Sequence, residues 1–214
     1  MTYLQLVNAV MKRLRESTVT SVDQNTYSAL VGELVNEAKR LVENAWDWEA
    51  LRSDITFNTS SDDYIYTLSG SRDRVTVLDA INDTSNKRLR YKTPQEFKNF
   101  KNLSTSSTGS PSFFTYAGFE STHTQIHVHP TPDGVYSLIF TSVIRPDDLS
   151  SDSATISIPT APVIQYATAL AARERGETGG TSAAELFGLA DRALSDAISF
   201  DAAKHPEETV YRAV

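Results

Sequence analysis

The sequence predicts an α+β fold in which N- and C-terminal helices form a bundle and an antiparallel β-rich region is inserted between them. Two observations carry this. Apolar residues recur at spacings of three and four before position 52 and again after 162, while between them the period falls to two. Composition agrees: 214 residues with 40% hydrophobic, 22% charged and 9% aromatic side chains can bury a core, which excludes a wholly disordered chain and a collagen-like repeat. The absence of cysteine excludes a disulfide scaffold, a thiol nucleophile and cysteine-bound zinc or iron–sulfur clusters.

Leu4, Val7, Val10, Met11 and Leu14 draw one apolar stripe along a short first helix. Ser21 and Gln24 have the spacing of a capping box. Tyr27, Leu30, Leu34, Ala38, Leu41, Ala45 and Trp48 then continue at helical period. A helix over 23–51 would be about 43 Å long at 1.5 Å per residue, long enough to bridge two regions or neighbouring subunits. Its outer face is expected to carry Glu33, Glu37, Lys39, Arg40 and Glu43.

From Ser53, Ile55 and Phe57 alternate with polar residues, and Tyr64, Tyr66 and Leu68 follow a polar turn at 58–63, so the two runs are expected to pair as a hairpin. Strands are also expected over 75–81, 89–91, 113–117, 125–129 and 135–143, giving one sheet of six to eight strands. Thr131-Pro132-Asp133-Gly134 is read as the turn of a second hairpin joining the last two. Thr93-Pro94-Gln95-Glu96 combines a cap residue, a first-position proline and a glutamate at the third position, which starts a short helix with Phe97 and Phe100 on one side. The run 103–112 is polar and reads as a loop.

Pro162 begins the next helix, with Val163, Ile164, Tyr166, Ala167, Leu170 and Ala171 at helical period. After the glycine-containing break at 176–180, Ser182 and Glu185 cap a final helix. The expected organisation is a helical bundle of 1–52 and 159–203, an inserted β-rich domain over 53–158, and an extended tail over 204–214. Alanine is heavy in the C-terminal helices, which permits close approach and leaves subunit packing to complete the core.

With 20 basic and 27 acidic side chains the formal charge is −7, the wrong sign for a protein that grips phosphates. No stretch has the length of a membrane span, and the N-terminus lacks the apolar core of a signal peptide. His123, His127 and His129 share strand parity, but no carboxylate in that strand orients the imidazoles, so an outer polar face is preferred to a metal site. Asp62-Asp63, Asp147-Asp148 and Glu207-Glu208 read as solvated charge, since adjacent residues do not face one pocket. Gly176, Gly179 and Gly180 lack the strand–glycine–helix context of a phosphate loop, and no nucleophile elbow is present. No catalytic residue, metal ligand or cofactor site is assigned.

Of Trp46 and Trp48, both candidate interface anchors at the end of the long helix, one is expected in the core and the other at an interface. Lys87, Arg88, Arg90 and Lys92 suit the protection of an exposed sheet edge better than a phosphate contact.

The order of elements resembles the head-to-tail adaptor, or connector, proteins of short-tailed bacteriophages. The resemblance lies in a long helix ending in Trp46-Asp47-Trp48-Glu49-Ala50-Leu51-Arg52, the strands Ile55-Thr56-Phe57 and Tyr64-Ile65-Tyr66-Thr67-Leu68, and Ile126-His127-Val128-His129-Pro130-Thr131-Pro132-Asp133. Tyr136-Ser137-Leu138 and Ile158-Pro159 then precede an alanine-rich helix from Val163. It covers most of residues 23–200. It implies a non-enzymatic virion protein at the portal vertex, assembled in the host cytoplasm as a twelve-subunit ring. One face would dock on the portal protein and the other would carry tail nozzle or fibre proteins, with DNA passing through an axial channel without specific binding. An acidic ring suits a conduit that must not hold its cargo. Val210, Tyr211 and Val214 are the expected anchors of a portal-docking tail. Two other readings stand beside this: another head-completion or fibre-attachment module, and a metal-dependent enzyme using His127, His129 and a loop aspartate.

Overall fold

The computed structural model describes residues 1–71, 74–102, 107–176 and 181–204. The α+β class holds, with five α-helices and eight strands among the described residues. The chain divides into two compact units, Met1–Ala50 with Asp147–Val214, and Leu51–Pro146.

In the first unit α1 (Tyr3–Arg13) starts from a capping box in which Thr2 Oγ1 accepts the Gln5 N–H at 3.2 Å and Gln5 Oε1 accepts the Thr2 N–H at 3.0 Å. It buries Tyr3, Leu6, Val7, Val10 and Met11. The second helix, α2 (Thr26–Ala45), is shorter than the periodicity suggests, at 20 residues or about 30 Å. Ser21 and Gln24 do not cap it. They bracket a 3₁₀ turn (Val22–Gln24), and the cap is Asn25, whose Oδ1 accepts the Ser28 N–H at 2.8 Å. At the other end Trp46 is extended, and Trp48 turns back so that its indole N–H donates to Val42 O at 2.8 Å, satisfying a carbonyl at the helix terminus.

The buried face of α2 is Val31, Gly32, Val35, Ala38 and Val42; of the expected stripe Ala38 and, beyond the helix, Trp48 are buried, whereas Leu30 and Leu34 are half-buried and Leu41 is exposed. Gly32 selects this face. A Cβ there would lie 2.5 Å from Tyr3 Oη and 2.7 Å from Val22 Cγ1, so only glycine lets Tyr3 approach. Rotating the face inward also buries Lys39 and Glu43, which the sequence places outside. Each is 1% exposed; they pair at 2.9 Å, and Lys39 Nζ donates to Asp147 O at 2.9 Å.

Residues 147–154, grouped by sequence with the β region, bond to the first two helices. Leu149 exchanges two hydrogen bonds with Asn36, and the Tyr3 and Leu4 N–H groups donate to Ala154 O and Asp152 O. These are N–H groups that a helix start leaves without intrahelical partners. The fourth helix, α4 (Thr160–Glu174), packs against α1, α2 and α5 (Thr181–Ala202). Its alanines 167, 169, 171 and 172 are all buried. Along α5 only Ala190 and Asp201 are buried among the side chains described.

The second unit contains β1 (Arg52–Asn58), β2 (Ile65–Thr67), β3 (Val75–Asn82), β4 (Lys87–Arg88), β5 (Arg90–Tyr91), α3 (Pro94–Asn102), β6 (Phe113–Glu120), β7 (His123–His129) and β8 (Ser137–Ile144). They make two four-stranded sheets, β1-β8-β3-β4 and β2-β7-β6-β5, antiparallel except for β5 with β6. Ile55, Leu68, Ala80, Leu89, Phe114, Ile126, Leu138 and Phe140 from both sheets form one core. Neither expected hairpin exists. Strands β1 and β2, like β7 and β8, lie in different sheets, and their two connections bond to each other: Thr59 N–H to Tyr136 O and Asp62 N–H to Pro132 O, both 2.9 Å. Turn residues mark a chain reversal without saying which sheet the next strand joins.

Candidate functional site

Strand β7 alternates as its sequence predicts: Thr124, Ile126 and Val128 are buried, and His123, His127 and His129 take the other face. Helix α3 lies over that face, started by the predicted Thr93–Glu96 capping box, in which the Glu96 N–H donates to Thr93 Oγ1 at 3.3 Å and the Thr93 N–H to Glu96 Oε2 at 3.1 Å. Phe97 and Phe100 point from α3 onto the imidazoles. Ring centres are 5.6 Å apart for Phe97 and His127 and 5.8 Å for Phe100 and His129, the latter pair stacked. Burial lowers the pKa of both histidines, and the Lys101 charge lowers that of His127 further. The histidines are therefore an aromatic layer beneath α3, and His123 lies apart from it, with no hydrogen-bond partner for Nδ1. Among the described residues no three His, Asp or Glu side chains converge as metal ligands.

Beside this layer α3 and β6 enclose a groove of about 490 Å³, lined by Phe97, Lys98, Lys101, Thr115, Tyr116 and His127. Lys101 Nζ sits 3.3 Å from the centre of the Tyr64 ring. Sequence reasoning passed over Lys98 and Lys101, although with Pro94 and Phe97 they fall at the three- and four-residue spacing of one helix face. Lys87, Arg88 and Arg90 do occupy edge strands, β4 and β5, as expected of edge protection. Arg88 pairs with Asp79 at 2.9 Å and Lys92 with Glu96 at 3.3 Å.

In the helical unit, Trp48 is 1% exposed and belongs to the core, whereas Trp46 is 37% exposed. Asp201 accepts the Glu49 N–H at 3.0 Å and Lys204 Nζ at 2.9 Å, and the Trp46 indole also favours its ionised form. Burial raises the Asp201 pKa, and these donors outweigh it and hold the carboxyl below its ordinary value. Next to it Pro159, Pro162, Ala193, Ala197 and Phe200 line an apolar groove of about 390 Å³, and Phe200 itself is 79% exposed.

The two carboxylate pairs among the described residues are engaged locally: Asp63 Oδ1 accepts the Ile65 N–H, Asp148 pairs with Arg40 at 3.6 Å, and the Asp147 main-chain oxygen serves Lys39. Glu207 and Glu208, His205, Gly179 and Gly180, and the anchors Val210, Tyr211 and Val214 lie outside the described residues, as does the Ser182 side chain. Gly176 follows α4 at positive φ.

A protein-family model described as SU10 adaptor protein matches residues 1–210. The chain belongs to that family. It is accordingly a structural adaptor protein of a phage virion, in line with the resemblance carried by the tryptophan-ended helix and the β7 turn. No curated protein matches the chain. An adaptor's working parts are surfaces, so the two grooves and the exposed α5 face carry the functional interest. No helix among the described residues is long and apolar enough to cross a membrane.

Proposed function

We propose that this adaptor forms a ring, of twelve subunits, that joins the portal to the tail nozzle or fibres and lines the channel through which DNA leaves. Family membership supports the reading, and the exposed face of α5 is the observation of this chain that carries it. A 22-residue helix with Leu189 at 53% and Phe200 at 79% exposure has apolar surface that a lone subunit leaves wet. Cyclic rings are built from such unlike patches meeting head to tail. Trp46, beside Asp201, is the side-to-side anchor, and Trp48 is a core residue that supports it. Residues 204–214 dock on the portal through Val210, Tyr211 and Val214. The excess of acidic charge keeps the channel from holding DNA.

The test is the solution mass by light scattering, alone and after mixing with a portal ring. About twelve copies on the portal, and loss of binding on deleting 205–214, are expected. A subunit that stays monomeric alone and ignores the portal removes the ring reading. Portal binding that survives the deletion removes the docking role of the tail alone.

A further inference from the structure

Charge is divided unevenly between the two units. Leu51–Pro146 holds 10 basic and 9 acidic residues, whereas the helical unit holds 10 basic and 18 acidic. Within the β unit six of the basic residues fall in 87–101, with Glu96 as the one acid there. Arg88 and Lys92 are ion-paired, but Lys98 and Lys101 have no carboxylate partner among the described residues, and both border the α3 groove. On the groove wall Thr115 is 2% exposed, and its hydroxyl oxygen finds no hydrogen-bond partner. A buried hydroxyl without a partner destabilises the wall it sits in. The two lysines and the Asn102 amide, all exposed, can donate to a carboxylate, and Phe97 and Tyr116 offer apolar surface alongside.

One exposed face of α5 has the complementary pattern. Glu185, Leu189, Asp196 and Phe200 are all exposed, and with Arg192 they follow one another at spacings of three and four along one helix face. We propose that the α3 groove of one copy binds this acidic and apolar face of α5 from a second copy, a contact that rests on the ring reading above. A contact between unlike patches repeats head to tail, which a ring requires. A nucleic acid is the weaker fit, because a phosphate track would meet two lysines here on a chain of net charge −7. Carboxylates enter with apolar side chains beside them, and the groove has a place for each.

The experiment is light scattering across a concentration series at low and high salt, alone and on a portal ring, with circular dichroism to confirm folding. In whichever setting the wild type multimerises, Lys98→Glu with Lys101→Glu is expected to weaken self-association by roughly tenfold or more. Glu185→Lys with Asp196→Lys should do the same, and mixing the two doubly substituted proteins should restore association. Wild-type assembly by the lysine variant, or failure of the mixture, overturns the α3–α5 contact while leaving the ring intact. A lysine variant that self-associates but no longer binds the portal reassigns the groove to the portal and also overturns it. A wild type that is monomeric in both settings overturns this contact and the ring reading together.

Discussion

Asn36 and Leu149, 113 residues apart, exchange two hydrogen bonds: Asn36 Nδ2 donates to Leu149 O at 3.0 Å, and the Leu149 N–H donates to Asn36 Oδ1 at 2.8 Å. One buried side chain thereby completes the main chain at the point where the sequence re-enters the helical unit. Asn36→Leu keeps the volume and strands both backbone groups. A loss of about 1–3 kcal/mol in urea-unfolding stability is expected, with Asn36→Asp intermediate at neutral pH because it still accepts from Leu149. An unchanged midpoint for Asn36→Leu would show that water replaces the clip at no cost.

Legibility differed by element, for physical reasons. The Thr93–Glu96 box and the parity of β7 are properties of consecutive residues, and both were readable. The face of α2 was not, because Leu30, Leu34 and Leu41 compete with Val31, Val35 and Val42 for the core, and the approach of Tyr3 to Gly32 decides between them. The burial of Lys39 and Glu43 follows from that decision. Turn sequences at 58–63 and 131–134 were legible as turns but not as crossings between sheets, since strand partners are set by distant residues. Of the functional surfaces, Trp46 and the edge cations were visible in sequence. The α3 groove was not, because Thr115 and Lys98 meet only once β6 lies beneath α3.

Gly32 sits where Tyr3 and Val22 crowd α2. Gly32→Ala gains helix propensity, yet its methyl must displace a Tyr ring and a Val branch. Overpacking outweighs propensity, and a net loss of about 1–3 kcal/mol is expected by thermal unfolding. Adding Tyr3→Phe, which removes the nearer oxygen, should recover part of it; no recovery would place the clash at Val22.

Lys39 and Glu43 form a pair at 2.9 Å with both side chains 1% exposed. Glu43→Leu leaves a buried ammonium facing the Asp147 carbonyl, and a loss of about 3–5 kcal/mol is expected. Lys39→Met combined with Glu43→Leu should restore most of that stability, because the ammonium and the carboxylate leave the interior together. Equal losses in the single and double variants would mean that water reaches the ammonium.

Trp48 and Trp46 separate the core from the surface in one spectrum. The Trp46→Phe protein should emit at short wavelength and resist acrylamide quenching, since its remaining indole is buried, with unfolding stability within about 1 kcal/mol of wild type. Trp48→Ala removes the largest fully buried side chain of the described residues and should cost about 3–5 kcal/mol. Strong quenching of the Trp46→Phe protein would contradict the burial of Trp48.

His127 and His129 are held below the ordinary imidazole value of 6.5 by burial under α3, and His127 also by Lys101. The unfolded chain therefore takes up protons at these sites before the folded one does. Their contribution is fully present above the unfolded value and is lost as pH falls through it towards the folded values. Melting temperature should thus drop between about pH 7.5 and about pH 5.5. His129→Phe, which keeps a ring against Phe100, and His127→Gln should each flatten that slope, and together they should remove the histidine part of it. Carboxylates titrate lower, so the difference between the double variant and wild type isolates the imidazoles. Parallel curves for the two proteins would mean that the ring layer opens to water before either histidine is protonated.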